Sequence, residues 1–243
     1  MVRITLGGEQ MEGFTSRGPA GHVRVFMPNE ETGLLPLPVL GSEGYAFPED
    51  GNRRTSRAYT PRRFDPHTNE LDIDFVIHGE GPGSAWASAV KLGDTAVISG
   101  QPGGAYAPET EVDWYLIAGD EAALPAIATL LEEMPASMRT FVFIEVLNDE
   151  EEQELATSSQ MHVTWLHRDA DALPGGELVT ALRQVEIPQG DGRIWVSCEA
   201  TFMRDLRKHF LEECGLDRSM LRTQGYWKRG ATNHTDHDMG DDD

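Results

Sequence analysis

Lysine is nearly missing from this chain: three of its 20 basic residues are lysine (Lys91, Lys208, Lys228) and the other 17 are arginine. Against them stand 41 acidic residues, for a formal net charge of −21. That shortage of positive charge excludes nucleic acid and anionic lipid as partners, because both would be repelled. A carboxylate-dense, lysine-poor surface suits a salt-rich cytoplasm, where screening is strong; an acid-biased, GC-rich genome gives the same composition. Cysteine is scarce too. Cys198 and Cys214 lie far apart with no C-x-x-C, which excludes a zinc ribbon, an iron–sulfur cluster or a disulfide scaffold. No apolar run approaches the roughly 20 residues that span a bilayer, and MVRITLGGEQ has neither the basic nor the long apolar region of a signal peptide. A cytoplasmic protein without bound metal is therefore expected. What is present is an ordinary globular mixture, 243 residues with 39% hydrophobic, enough for one large domain or two small ones.

The first 110 residues carry most of the glycine and proline punctuation. In LDIDFVI, Leu71, Ile73, Phe75 and Ile77 share one face and Asp72 and Asp74 the other, the alternation of a half-buried antiparallel strand. HVRVFMP (22–28) and TAVISG (95–100) read the same way, and residues 29–56 form a long excursion. Short strands with turn signals predict a small antiparallel barrel or sandwich. From Trp114 the rhythm changes to strand, helix, strand. WYLIAG is a continuous apolar run, DEAALPAIATLLEEM has helical spacing, and FVFIEV, HVTWL and RIWVSC are further strands. Helical patterns over 176–184 and 200–213 complete a parallel sheet with crossover helices. The expected domains are 1–110 (β), 111–230 (α/β) and an acidic, disordered tail, 231–243. Acidic runs at 145–154 and 236–243 read as solvated surface and tail, with His234, Asp236, His237 and Asp238 a chance metal-like cluster.

Three segments carry chemistry. HGEGPGSAWA (78–87) follows the best strand and leads into a helix. Gly79, Gly81 and Gly83 allow close backbone approach, Ser84 can cap the helix, and a helix N-terminus attracts phosphate. The same residues also make an ordinary turn plus cap. In RAYT (57–60), Arg57 and Tyr59 share a strand face, so a cation can meet a phosphate while a ring lies on a flat heterocycle; an exposed arginine beside a packed tyrosine is the plainer reading. AGDEAALP (118–125) ends a first parallel strand, where ligands of such sheets bind, but its single glycine is weak on its own.

Taken together, RAYTPRRFD, IDFVIHGEGPGSAWA, GDTAVISGQPGG, YLIAGDEAALPAIATLLEEMP and WVSCEATFMRDLRKHFLEECGLDRSMLRTQGYWKRG resemble, in order, the siderophore-interacting protein family of the ferredoxin-reductase superfamily. The resemblance covers residues 57–230, and HGxGPxSxWA and GYWKRG are its specific motifs. It implies a β + α/β protein: an N-terminal antiparallel β-barrel binding FAD, then a Rossmann-like parallel sheet for a nicotinamide nucleotide. Family members usually have one strand before that resembling VRITLGG, so a missing first strand or a misplaced start codon is expected. By analogy Arg57 binds the FAD pyrophosphate, Tyr59 stacks on the isoalloxazine and Thr60 bonds near N5. The amides of Gly81, Gly83 and Ser84 hold phosphate, His78 makes a main-chain contact, and Trp86 packs on cofactor or core. Gly119, Asp120 and Glu121 open the nucleotide domain, and Tyr226 and Trp227 cover or flank the flavin. Family members tend to have Ala-Gly-Glu at Ser197-Cys198-Glu199, so Cys198 lines the nicotinamide pocket or is a small buried hydrophobe.

The implied reaction passes a hydride from NADH or NADPH to FAD and single electrons onward to ferric siderophore, releasing Fe(II); ferredoxin is the alternative donor. No catalytic side chain is required. Glu145, at the end of the second parallel strand, is placed to read ribose, which favours NADH, whereas Arg168 could receive a 2′-phosphate. Lys228 and Arg229 offer a cationic mouth for an anionic chelate, with Arg62 and Arg63 as a weaker rim. The competing readings are a flavin or general ferric-chelate reductase on the same scaffold and a non-enzymatic siderophore carrier.

Overall fold

The computed structural model describes all residues except 30, 31, 42, 43, 47–54, 80, 100–103, 232, 233 and 235–243. Most of the tail, including Asp236, His237 and Asp238, lies outside the described residues. The chain divides into two compact units, Met1–Tyr106 and Ala107–Asp243.

The first unit is antiparallel. Its strands are β1 (Val2–Gly7), β2 (Val23–Met27), β3 (Val39–Gly41), β4 (Gly44–Ala46), β5 (Thr55–Tyr59), β6 (Pro61–Asp65), β7 (Glu70–Phe75) and β8 (Val97–Ile98), with helix α1 (Pro82–Ala89) between β7 and β8. They form two three-stranded sheets, β1-β7-β6 and β5-β2-β8, and a β3-β4 hairpin. Alternation builds the core, because inward residues come from every second position. Val23, Val25 and Met27 of β2 meet Leu71, Ile73 and Phe75 of β7, with Ala87 of α1 closing one end. The two aspartates of β7 are not left to water. Across the β1-β7 register Arg3 donates to Asp74 at 2.6 and 2.8 Å and Thr5 donates to Asp72 at 2.7 Å. TAVISG contributes only the two residues of β8 to a strand, paired with Val25 and Phe26.

The second unit holds β9 (Trp114–Gly119), α2 (Leu124–Glu132), β10 (Arg139–Val146), β11 (Gln160–His167), α3 (Gly176–Leu182), β12 (Gly192–Glu199), α4 (Ala200–Lys208) and β13 (Leu221–Trp227). All five strands are parallel, in the order β11-β10-β9-β12-β13. β9 is central and wholly buried, as its unbroken apolar run requires. Its residues Trp114, Leu116 and Ala118 pack with Ile194 and Val196 of β12, Leu178 and Leu182 of α3, and Met203 and Leu206 of α4. Pro125 sits in the first turn of α2, where a missing N–H costs nothing. The 200–213 helix keeps α geometry to Lys208 and then widens into one π turn, His209–Glu213. No described helix is long and apolar enough to cross a membrane.

Candidate functional site

In the first unit the sequence-predicted residues gather around the end of β5 and the start of α1. Tyr59 is half-buried, 4.2 Å from Phe75 between ring centroids, and Trp86 of α1 lies 5.4 Å from the same ring. Trp86 is partly buried and packs against the core of this unit. Burial pushes the Tyr59 phenol up to about 12, against the opposing pull of Arg57. The phenol rests where Gly83 has no side chain: a Cβ there would stand 2.1 Å from the Tyr59 hydroxyl oxygen. Glycine at 83 is therefore what lets the tyrosine lie on the first turn of α1. Arg57 is half-buried and donates to the Ser56 carbonyl at 3.0 Å, while Thr60 is buried beside it.

One expectation here is corrected. Ser84 does not cap α1. Gly81 is the N-cap and makes no side-chain bond, Pro82 opens the helix, and the Ser84 hydroxyl accepts the His78 N–H at 2.9 Å. The exposed His78 is thereby tied to α1 through its main chain.

The second unit places its residues at the carboxyl ends of β9 and β12. These strands are neighbours, yet the chain leaves β9 toward β10 and returns to β12 from the other side, so their ends are the topological switch point where ligands of such sheets bind. Gly119 is tight there: an added Cβ would stand 2.6 Å from both Ala123 Cβ and the Ser197 carbonyl oxygen. Asp120 follows, with no exposed surface. Its carboxylate accepts the Ala122 N–H at 3.0 Å, the Glu199 N–H at 3.0 Å and the Trp227 indole N–H at 2.8 Å. Burial raises its carboxyl to about 7 despite those donors.

Glu199 matters more than the sequence suggested. Its Oε2 accepts the Thr201 and Phe202 N–H groups as the N-cap of α4, and its Oε1 accepts the Arg229 N–H at 3.1 Å. The available signal was a carboxylate immediately before a helical pattern. The register between β12 and β13 slips between Cys198 and Glu199, so Glu199 pairs with Trp227 rather than Tyr226. Asp120 and Glu199 together pin the GYWKRG segment, whose Lys228 and Arg229 side chains are exposed. Tyr226 packs edge-on to Trp195 at 6.2 Å, and burial pushes its phenol upward.

One further expectation fails on geometry, and the setting of a second differs from that expected. Glu145 is no surface ribose reader: it is fully buried, and its two oxygens accept the Gly175 N–H at 2.6 Å and the Leu178 N–H at 2.9 Å, anchoring the start of α3. Burial raises its carboxyl all the same. Arg168 does not wait as an open cation but ion-pairs with Glu121, with Glu145 Oε1 3.8 Å away. Cys198 is fully buried in the core shared by α3 and α4, and burial raises its thiol first, followed by Asp120, Glu145 and Glu199. Its Sγ lies 3.5 Å from the Glu199 carbonyl oxygen, to which it donates. Among the described residues no group of three or more His, Cys, Asp or Glu is placed to hold a metal ion.

A family model described as "Siderophore-interacting FAD-binding domain" matches residues 1–106, and one described as "Siderophore-interacting protein" matches residues 112–230. The chain is 36% identical to ferric vibriobactin reductase ViuB of Vibrio cholerae over 98% of its own length and 88% of the relative's. It is 33% identical to the NADPH-dependent ferric-chelate reductase of Escherichia coli, over 93% and 86%. The crystal structure of a siderophore utilization protein from T. fusca superposes with a TM-score of 0.83 at 40% identity, covering 97% of this chain and 89% of that one.

Proposed function

Because the chain belongs to the siderophore-interacting protein family, we propose that it is an FAD-dependent reductase carrying electrons from a reduced nicotinamide nucleotide to iron(III) held by a siderophore. The reading takes that substrate class from ferric vibriobactin reductase and ferric-chelate reductase. The name of the Escherichia coli relative favours a nicotinamide donor over ferredoxin. The cytoplasm, where such donors are kept reduced, is the compartment that suits it.

The observation that carries the reading is the β5–α1 corner, because its residues fit a flavin nucleotide. Arg57 and Tyr59 leave one face of the strand together, and glycine at 83 gives the ring its seat. In this reading Arg57 neutralises the pyrophosphate with a charge-assisted bond and Tyr59 lies against the isoalloxazine. Thr60 supplies a hydroxyl near N5, and the amides at the start of α1, Gly81 to Ser84, face phosphate. His78 joins through its main chain. FAD bound there supplies the conversion from a two-electron donor to a one-electron acceptor. Gly119 and the switch crevice take the nucleotide, with Asp120 and Glu199 shaping its wall. Tyr226 and Trp227 hold the cationic pair Lys228 and Arg229 in place for an anionic chelate. The iron is substrate, and oxygen donors hold Fe(II) far less tightly than Fe(III).

Anaerobic stopped-flow spectroscopy tests this. The purified protein should be yellow, bleach with NADH or NADPH, and regain colour on adding a ferric siderophore while an Fe(II) chelator traps the product. Charge reversal at Lys228 and Arg229 should lower kcat/KM for anionic chelates and spare neutral ones, less so in high salt. Protein that neither carries nor takes up FAD would refute the reading.

A further inference from the structure

The geometry points to Glu121 as the residue that sets which nicotinamide nucleotide this protein accepts: its carboxylate holds Arg168 and so withholds that cation from a 2′-phosphate. This inference rests on the reading that the nucleotide binds at the carboxyl ends of the parallel strands.

Three strand ends meet in the pair. Glu121 follows β9, in the turn expected to face the nucleotide phosphates. Arg168 follows β11, whose end is fixed beside that of β10 by the Arg168 N–H bond to the Val146 carbonyl at 3.1 Å. The guanidinium therefore lies across the end of β10, within 3.8 Å of Glu145, at the position where folds of this kind distinguish a ribose 2′-hydroxyl from a 2′-phosphate. Glu145 does no reading there, because both its oxygens are taken by α3. What remains at that position is one cation, already paired.

The pair is well shielded: the Arg168 side chain is 12% exposed and that of Glu121 8%. Shielding strengthens the attraction and makes an unpaired Glu121 carboxylate costly. A 2′-phosphate must displace Glu121 and leave that carboxylate buried without a partner, with the buried Asp120 next to it in the chain. NADH asks for no such exchange. Discrimination then comes from a competitor built into the protein rather than from a contact to the preferred ligand. The Escherichia coli relative is named as NADPH-dependent; in this chain the proposed competitor against a 2′-phosphate is Glu121, not Glu145.

Calorimetric titration of the flavin-loaded full-length protein with 5′-AMP and with 2′,5′-ADP tests this without turnover. Wild type should bind 2′,5′-ADP no tighter than 5′-AMP. Glu121→Gln should raise the ratio of 2′,5′-ADP affinity to 5′-AMP affinity about tenfold over that of wild type. The double variant Glu121→Gln/Arg168→Ala should lose the gain. Glu121→Ala reads the same ratio should the glutamine variant not fold. A ratio unchanged by removing the carboxylate, or a wild type that already prefers 2′,5′-ADP by about tenfold, overturns the inference while leaving the nucleotide site standing. Failure of both probes to bind wild type and variants refutes the site itself, and the inference with it.

Discussion

Tyr59 and Gly83 form a lock made of one ring and one missing methyl. Gly83→Ala forces a Cβ into the Tyr59 hydroxyl, so the ring must leave its seat and flavin retention should fall even though no contacting side chain is deleted. Tyr59→Ala should weaken retention by removing the ring, and Arg57→Ala by roughly 1.5–3 kcal/mol, the usual worth of a hydrogen bond to a charged group. Flavin content after dialysis, read against FAD titration of apoprotein, measures all three. Asp120 gives a different signature. Its carboxyl titrates near 7 in the fold against 3.8 for the ordinary group, so the native state binds the proton more tightly than the unfolded chain. Its contribution to stability is therefore full below about pH 4 and lost as pH rises through 7. Glu145 is shifted the same way. Urea unfolding between pH 4.5 and 8 should show a decline that is shallower in Asp120→Asn. The sequence marks Arg57, Tyr59 and Gly83 by their spacing. It does not reveal that Asp120 finds its indole donor in Trp227, because that partner is brought in by the fold alone.

At the scale of elements, the strands that the sequence shows best are those with a single environment. β9 is buried on both faces and reads as an unbroken apolar run, while β7 reads as half-buried in sequence although its end, with Asp74 taken up by Arg3, is buried on both faces. β8 is harder, because among the described residues of TAVISG only Val97 and Ile98 pair as a strand with β2, and Ser99 continues the contact through bonds to Arg24 rather than as a ladder residue. The acid ending β10 shows how a site residue is misread. A carboxylate at a strand end suggests a ribose contact, and nothing local says that Gly175 and Leu178 will present free N–H groups to it. α3 has only seven residues and no side-chain cap at Gly175, so Glu145 supplies from another strand what its own sequence lacks. Glu145→Ala should accordingly cost about 1–3 kcal/mol in urea unfolding for the two donors left bare. Glu145→Gln, which keeps an acceptor oxygen, should cost less. Equal losses in both would mean that charge rather than acceptor geometry holds the helix.

For the whole molecule, the charge of −21 is the dominant long-range quantity. Some of the limited positive charge is spent locally: Arg193 pairs with Glu109 and Asp191, and Arg183 with Asp205 and Glu213. The unbalanced carboxylates repel one another, so thermal unfolding should move upward with KCl until screening saturates. A melting temperature insensitive to salt would leave only an acidic composition. The pinned GYWKRG segment has a consequence in time. Trp227 lies 107 residues beyond Asp120 and Arg229 lies 30 beyond Glu199, so during synthesis the acid at the end of β9 is made long before its indole donor. Until Trp227 has left the ribosome, the wall of the crevice is open and the β12 edge awaits β13. The parallel unit should therefore finish folding late, and a nascent chain halted before Trp227 should keep the Ala122 and Glu199 donors to Asp120 but lack the indole that completes the set.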